Sequence, residues 1–307
     1  MAESNLKQAY APEGAEVLDN PNGTAAGLYL PPGDSSPAVF LLPGPPSELY
    51  PMFENEVLPR LRHLCELAGI PIPECATLRT SGIGESLLHE YVDGSLTAIP
   101  GLEVGYCARP GEVDVRLIGT EEAVEQGREI VRRHLAPYLI NETGEALEVS
   151  LVKVLREKGL SMATAESCTG GLIAGRVTDV PGSSSVFGFG WVTSANEAKT
   201  AELGVPASLL DSVGAVSREV AVAMAEGALR ASGADLAVAV TGIAGPDGGT
   251  EDKPVGTVWI AWAGKDGRTV AKKRFFPGRR DMFRRRVVQA ALTGLFHWVE
   301  GSFDERD

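Results

Sequence analysis

Long apolar runs are missing from this sequence: none approaches the roughly 20 residues that cross a bilayer, which argues against a helical membrane anchor. The opening stretch, MAESNLKQAYAPEG, has no apolar core of the kind a signal peptide needs. Cysteine is scarce. Cys65, Cys75, Cys107 and Cys168 are widely spaced and form no CxxC pair, so no structural zinc site is expected and reduced thiols in a cytoplasmic protein are. Positive charge is short as well: 28 Lys and Arg against 41 Asp and Glu leave a net charge of −13. Bulk attraction to nucleic acid or to an anionic membrane is therefore not expected. What remains is ordinary globular material, 307 residues at 44% hydrophobic and 22% charged, long enough for two or three domains.

Three blocks follow one another. Residues 1–62 read as short strands and loops, with an apolar run Ala38–Leu42 ending in Pro43-Gly44-Pro45-Pro46. Ser47 then stands where a helix N-cap belongs, before Leu49, Phe53, Val57 and Leu61 at helical spacing. This half of an α/β layer buries too little apolar surface to be an ordinary domain. Residues 63–142 look like a small α+β unit: a helical stretch SGIGESLLHEYVDG, two strands joined by Arg109-Pro110-Gly111-Glu112, and an amphipathic helix carrying Ala123, Gly127, Ile130, Val131 and Leu135 on one side. Gly82-Ile83-Gly84-Glu85 resembles the glycine loop of RNA-binding KH modules. It lacks the second glycine at GxxG spacing and puts an acid where a phosphate would lie, so a turn without ligand is expected.

Residues 143–307 alternate strands and helices and end in a hairpin with an Asp266-Gly267 turn and a helix over about 281–300. Ser217 is placed to cap the start of one helix and Gly233 its end, and ADLAVAVTG has the uninterrupted apolar character of a strand covered on both faces. The pattern predicts a three-layer α/β/α domain on a mixed sheet. The fold class is thus α/β, with a small α+β unit and a partial α/β segment ahead of the main domain.

Within this block, TAESCTGGLIAG leaves a strand and enters a helix through Glu166-Ser167-Cys168-Thr169-Gly170-Gly171. Free N–H groups and the helix dipole gather there, and two glycines let a ligand approach the backbone. Thr169, Gly170 and Gly171 would suit a phosphate or the oxyanion of an acyl-transfer intermediate. A hydroxyl or thiol in the same turn favours the oxyanion. An ordinary cap with glycines for tight packing is the other reading of the spacing. A second loop, GIAGPDGGTEDKPVG (242–256), follows a buried strand at the sheet edge where α/β proteins bind ligands, and offers Gly245, Gly248, Gly249 and Asp247.

A hydroxyl nucleophile needs a base. The one histidine of this block, His297, lies deep in the last helix, in a position typical of core or surface. Lys199 begins the helix after a strand, and burial can lower a lysine pKa enough to make it a base. Ten Lys or Arg lie between Lys265 and Arg286, with Arg280 and Arg284 at i and i+4 on one helix face. Such a pair can bind phosphate or make a domain contact.

TAESCTGGLIAGRVTDVPGSS, NEAKTAELGV, GAVS and TGIAGPDGGTEDKPVGTVWIA resemble the C-terminal domain of the CinA (competence/damage-inducible protein A) family over about residues 145–300. LLPGPPSEL and GYCARPGEVDVRL resemble the later part of that family's N-terminal molybdopterin-binding-like region and the small domain that follows. The resemblance implies a nicotinamide-nucleotide amidase that converts nicotinamide mononucleotide to nicotinic acid mononucleotide and ammonia in pyridine-nucleotide recycling, with no cofactor and no metal. It makes Ser167 the nucleophile and Lys199 its base, with Glu166, Ser194, Asn196 and Asp247 as auxiliary candidates. The glycine-rich loop and Arg280/Arg284 would meet the substrate's phosphate. Where the family commonly has a TYSN stretch, this chain has Thr193-Ser194-Ala195-Asn196. The family's early N-terminal strands have no counterpart here, so ADP-ribose hydrolysis is not expected. A homodimer or larger oligomer is expected, covering the edge left open by residues 1–62. The competing reading from another class is a non-catalytic nucleotide-binding or scaffold protein.

Overall fold

Short runs of alternating residues build the first sheet of the computed structural model, which describes residues 10–303. Strands β1 (Glu16–Leu18), β2 (Gly27–Leu30) and β3 (Val39–Leu41) pair antiparallel in that order. Helix α1 (Pro46–Met52) passes through a wider π turn (Phe53–Val57) into α2 (Leu58–Leu67). The helix starts two residues earlier than the Ser47 cap predicts. Pro45 takes the cap position, and its carbonyl accepts the N–H groups of Glu48 and Leu49 at 2.9 Å each. The fixed φ of proline suits Pro46 to the first turn. Leu18, Tyr29 and Met52 make the core of this unit, which ends at Pro73. Val39 and Leu41 on edge strand β3 stay exposed.

The second unit starts at Glu74 and holds two sheets. The first is antiparallel, in the order β5 (Glu103–Arg109), β6 (Glu112–Gly119), β4 (Glu74–Ser81), β7 (Leu139–Asn141). Helices α3 (Glu85–Thr97) and α4 (Glu121–Leu135) bury Leu88, Val92, Leu96, Val124, Val131 and Leu135 in the same core as Leu78, Val115 and Leu117 of this sheet. Thr120 caps α4, its hydroxyl accepting the Ala123 N–H at 3.2 Å.

The second sheet is mixed, five strands in the order β12 (Thr269–Phe275), β11 (Thr257–Gly264), β10 (Leu236–Gly242), β8 (Met162–Glu166), β9 (Phe187–Val192). Strands β9, β8 and β10 are parallel, and β11 and β12 return antiparallel through the Asp-Gly hairpin. One face is covered by α5 (Leu147–Lys158), α6 (Leu172–Thr178) and α10 (Arg280–Glu300). The other is covered by α7 (Asn196–Leu203), α8 (Ala207–Val213) and α9 (Arg218–Ser232). This is the three-layer arrangement expected from the strand–helix alternation. The apolar strand β10 is central and buried from Leu236 to Thr241. Ser217 and Gly233 bound α9 as predicted, with Ser217 Oγ accepting the Val220 N–H and Gly233 left-handed at φ 69°. Among the described residues no helix is long and apolar enough to cross a membrane.

Small residues let α9 lie close to α7. A Cβ added at Gly227 would stand 2.0 Å from the Leu203 carbonyl oxygen, a backbone atom that cannot swing aside. Gly227→Ala is expected to destabilise the protein by about 1–3 kcal/mol through overpacking. Chemical denaturation checks this, and an unchanged midpoint would show that the two helices separate freely.

Candidate active site

Strand β8 delivers Ser167 to the carboxyl edge of the sheet. The Ser167 N–H still donates to Val240 O of β10 at 3.1 Å, so the residue is held by the sheet although it lies one place beyond the strand. The chain then turns sharply. Gly170 and Gly171 have φ of 60° and 89°, a region that side chains rarely enter, and the Gly170 N–H closes back on Ser167 O at 3.2 Å.

Glu166, the last residue of β8, explains how this turn is fixed. It is fully buried, and its carboxylate accepts three hydrogen bonds: from Thr169 Oγ1 (2.6 Å), the Ile173 N–H (3.0 Å) and the Ala174 N–H (2.8 Å). The negative group thus satisfies orphan donors at the start of α6, where the helix dipole favours it. Its role is to position the turn. The amides of Thr169 and Gly171 belong to this same turn, close to Ser167 in the chain.

Lys199 comes from the first turns of α7, 32 residues from Ser167 in sequence, and has no exposed surface. Its Nζ lies 3.4 Å from Ser167 Oγ, 2.8 Å from Thr193 O and 3.0 Å from Ser194 O. Desolvation holds its pKa below the ordinary lysine value, against weaker opposing pulls from Cys168 and Glu197. A neutral amine has two N–H groups and one lone pair. In that neutral form, with the two N–H groups given to the Thr193 and Ser194 carbonyls, the lone pair would be left for the Ser167 hydroxyl, whereas the protonated amine donates to Ser167 Oγ. The neutral form is the arrangement of a general base beside its nucleophile.

The neighbouring thiol is placed differently. Cys168 is half-buried and packs against the core beneath α6 and α10. Burial pushes its pKa up to about 12, with smaller opposing effects from its own backbone and from Arg284 and Arg280. It therefore stays protonated at neutral pH. Cys168→Ala is expected to keep most activity, losing no more than roughly 1–2 kcal/mol of stability, and iodoacetamide should inactivate the native protein slowly or not at all. Rapid, substrate-protected alkylation at Cys168 would shift the nucleophile to the thiol.

The arginine pair reaches this edge of the sheet from the start of α10. Arg284 Nη2 donates to Thr169 O at 2.5 Å, and Arg280 Nη1 donates to Gly245 O at 2.9 Å. One helix end thus ties the serine turn to the glycine-rich loop. Arg284 Nε is buried without a partner among the described residues. The loop is folded on itself, because Gly245 and Gly249 lie where a Cβ would collide with Val255, at 2.5 Å from its Cγ1 and 2.8 Å from its N. Lys253 Nζ anchors it to Val213 O at 2.8 Å. Asp247 and Gly248 stand exposed on the loop, and Asn196 and the Ser194 side chain are exposed beside Lys199. Thr193 was not singled out by its sequence. Its contribution is a backbone carbonyl, and a carbonyl leaves no mark on residue type.

The fold and the site together define an α/β protein with a buried lysine beside a serine at the carboxyl edge of a mixed sheet. Residues 144–299 match the CinA C-terminal domain, and residues 76–136 match the damage-inducible protein CinA KH domain. A CinA-like protein of Akkermansia muciniphila is 56% identical over 96% of this chain and 70% of its own length. Another, of Geobacter metallireducens, is 43% identical over 96% of this chain and 72% of its own. The crystal structure of the competence/damage inducible protein CihA from Agrobacterium tumefaciens is 46% identical, covering 48% of this chain and 89% of its own, with a TM-score of 0.47. The chain belongs to the CinA family.

Proposed function

We propose that this chain is a nicotinamide-nucleotide amidase that hydrolyses nicotinamide mononucleotide to nicotinic acid mononucleotide and ammonia. The observation that carries the reading is the fully buried Lys199 amine 3.4 Å from Ser167 Oγ, its pKa lowered by desolvation. Ser167 Oγ attacks the carboxamide carbon as Lys199 takes the hydroxyl proton. The carbonyl oxygen becomes an oxyanion, for which the amides of Thr169 and Gly171 are the candidate donors. The C–N bond breaks, and the departing nitrogen takes the proton from Lys199 and leaves as ammonia. Water then attacks the acyl-enzyme, Lys199 accepts its proton and returns one to Ser167 Oγ, and the carboxylate is released. Arg280, Arg284 and the 242–256 loop are the candidate partners of the substrate's phosphate, and the contacts of the two arginines with Gly245 O and Thr169 O support that reading. The exposed edge of β3 supports pairing of chains in solution.

The test is ammonia release from nicotinamide mononucleotide by the full chain. No release, with nucleotide binding retained, would favour a non-catalytic nucleotide-binding protein instead. The pH dependence has a definite sign. Protonated Lys199 cannot act as base, so kcat/KM should rise with pH and level off at an inflection below the 10.5 of an ordinary lysine. Between that inflection and 10.5 the unfolded chain binds a proton that the folded chain lacks, so this group makes stability rise with pH there. A rate that falls across this range would exclude Lys199 as the base.

A further inference from the structure

Helix α6 is only seven residues long, and a helix so short has little stability of its own. Its place is set by what holds its two ends. Glu166 holds the first, through the N–H groups of Ile173 and Ala174. Arg176, in the last turn, holds the second.

The Arg176 guanidinium addresses a different element with each of its three nitrogens. Nε donates to Glu148 Oε2 of α5 at 2.8 Å, and Nη1 donates to Gln289 Oε1 of α10 at 2.5 Å. Nη2 lies 3.8 Å from Glu112 Oε1 of β6. A planar fork of fixed donors suits such a junction, where a lysine ammonium would not. The Arg176 side chain is 24% exposed and that of Glu112 8%, so these contacts are only weakly screened by water.

The network continues into the antiparallel sheet. Gln289 Nε2 donates to Glu112 Oε1 (3.0 Å) and to Ser81 Oγ (2.9 Å), and Ser81 Oγ shares a 2.6 Å hydrogen bond with Thr293 Oγ1 of α10. Ser81 closes β4 and Glu112 opens β6. Two strands of that sheet thus reach α6 through one glutamine and one arginine. At its other end α6 begins directly after the serine turn.

We propose that Arg176 is a positioning residue, through which the β4–β6 sheet fixes α6 and with it the turn that carries Ser167. The effect on rate rests on the proposed amidase activity; the hold on the turn does not. A shift of about 1 Å at a reacting group can cost a hundredfold in rate. The candidate phosphate partners, Arg280 and Arg284, belong to α10 and not to α6. Loosening α6 therefore acts on kcat more than on KM.

Steady-state ammonia release from nicotinamide mononucleotide and amide hydrogen exchange, both on the full chain, test this with Arg176→Met and Glu112→Gln. Arg132→Met is the control, since Arg132 pairs with Glu125 and Glu142 and not with α6. Arg176→Met is expected to lower kcat at least tenfold with KM changed less than threefold. Glu112→Gln should lower kcat in the same sense, from a sheet that holds neither Ser167 nor Lys199. In Arg176→Met the amides of residues 167–178 should exchange at least fivefold faster while those of β10 keep the wild-type rate. The control should change neither measurement by more than twofold. A folded Arg176→Met protein with kcat within twofold of an active wild type would overturn the proposal. Exchange that quickens equally in β10 would make Arg176 a general stabiliser and overturn it too. If the wild-type chain releases no ammonia, the amidase reading falls, and exchange decides alone: an unchanged rate over 167–178 removes the hold on the turn.

Discussion

Ser167→Ala is expected to lower ammonia release from nicotinamide mononucleotide by roughly 10³-fold or more, the scale on which removal of a nucleophile acts, with folding unchanged. The serine is half-exposed and its side chain supports no part of the core, so circular dichroism and melting midpoint should match the wild type. Lys199→Ala should lose nearly as much, because the hydroxyl then keeps its proton. The lysine variant has a second consequence. It leaves the Thr193 and Ser194 carbonyls without the amine that now binds them, so some stability is lost as well. Lys199→Met, which fills the same volume without an amine, separates the two effects: activity should be absent while most of the stability returns. Near wild-type turnover in folded Ser167→Ala or Lys199→Met protein would end the dyad mechanism.

The largest effect on stability is expected at Glu166. Glu166→Ala strands the Thr169 hydroxyl and the amides of Ile173 and Ala174 in a buried place, and each unpaired donor costs about 1–3 kcal/mol. The sum should approach 3–5 kcal/mol, at the severe end for single substitutions. The melting midpoint should then fall by roughly 10 °C. Glu166→Gln keeps one acceptor oxygen but turns a donor toward a donor, so a smaller loss is expected. In that variant kcat should fall more than KM rises, since the carboxylate positions the turn that carries Ser167. Melting curves and steady-state rates on both variants check this. A Glu166→Ala protein as stable as wild type would mean that α6 needs no such cap.

Much of the frame was legible along the chain because its signals are local. Alternating strands and helices imply the three layers, Ser217 and Gly233 bound their helix, and Asp266-Gly267 marks the hairpin. The glycines of the serine turn read as room for a ligand or for tight packing; the structure adds left-handed backbone angles that require them. The start of α1 lies two residues before the one its Ser47 cap predicts, because Ser47 and Pro46 both carry start signals and the rigid proline takes the first turn.

The chemistry of the site was less legible. Lys199 in NEAKTAELG has the spacing of any solvated helical lysine; only the packing of α7 against the sheet removes its water and lowers its pKa. Glu166 beside a serine suggests catalysis, yet three donors converge on it from the next helix turn and make it a cap. Arg280 and Arg284 were visible as an i, i+4 pair, but which loops they join depends on where α10 crosses the sheet. The sequence by itself determined the strands, turns and caps, because these depend on neighbours a few residues away. Only the tertiary structure decided which charges lost their water and which polar atoms met, because desolvation and hydrogen-bond distance belong to residues brought together from 30 to more than 200 positions apart.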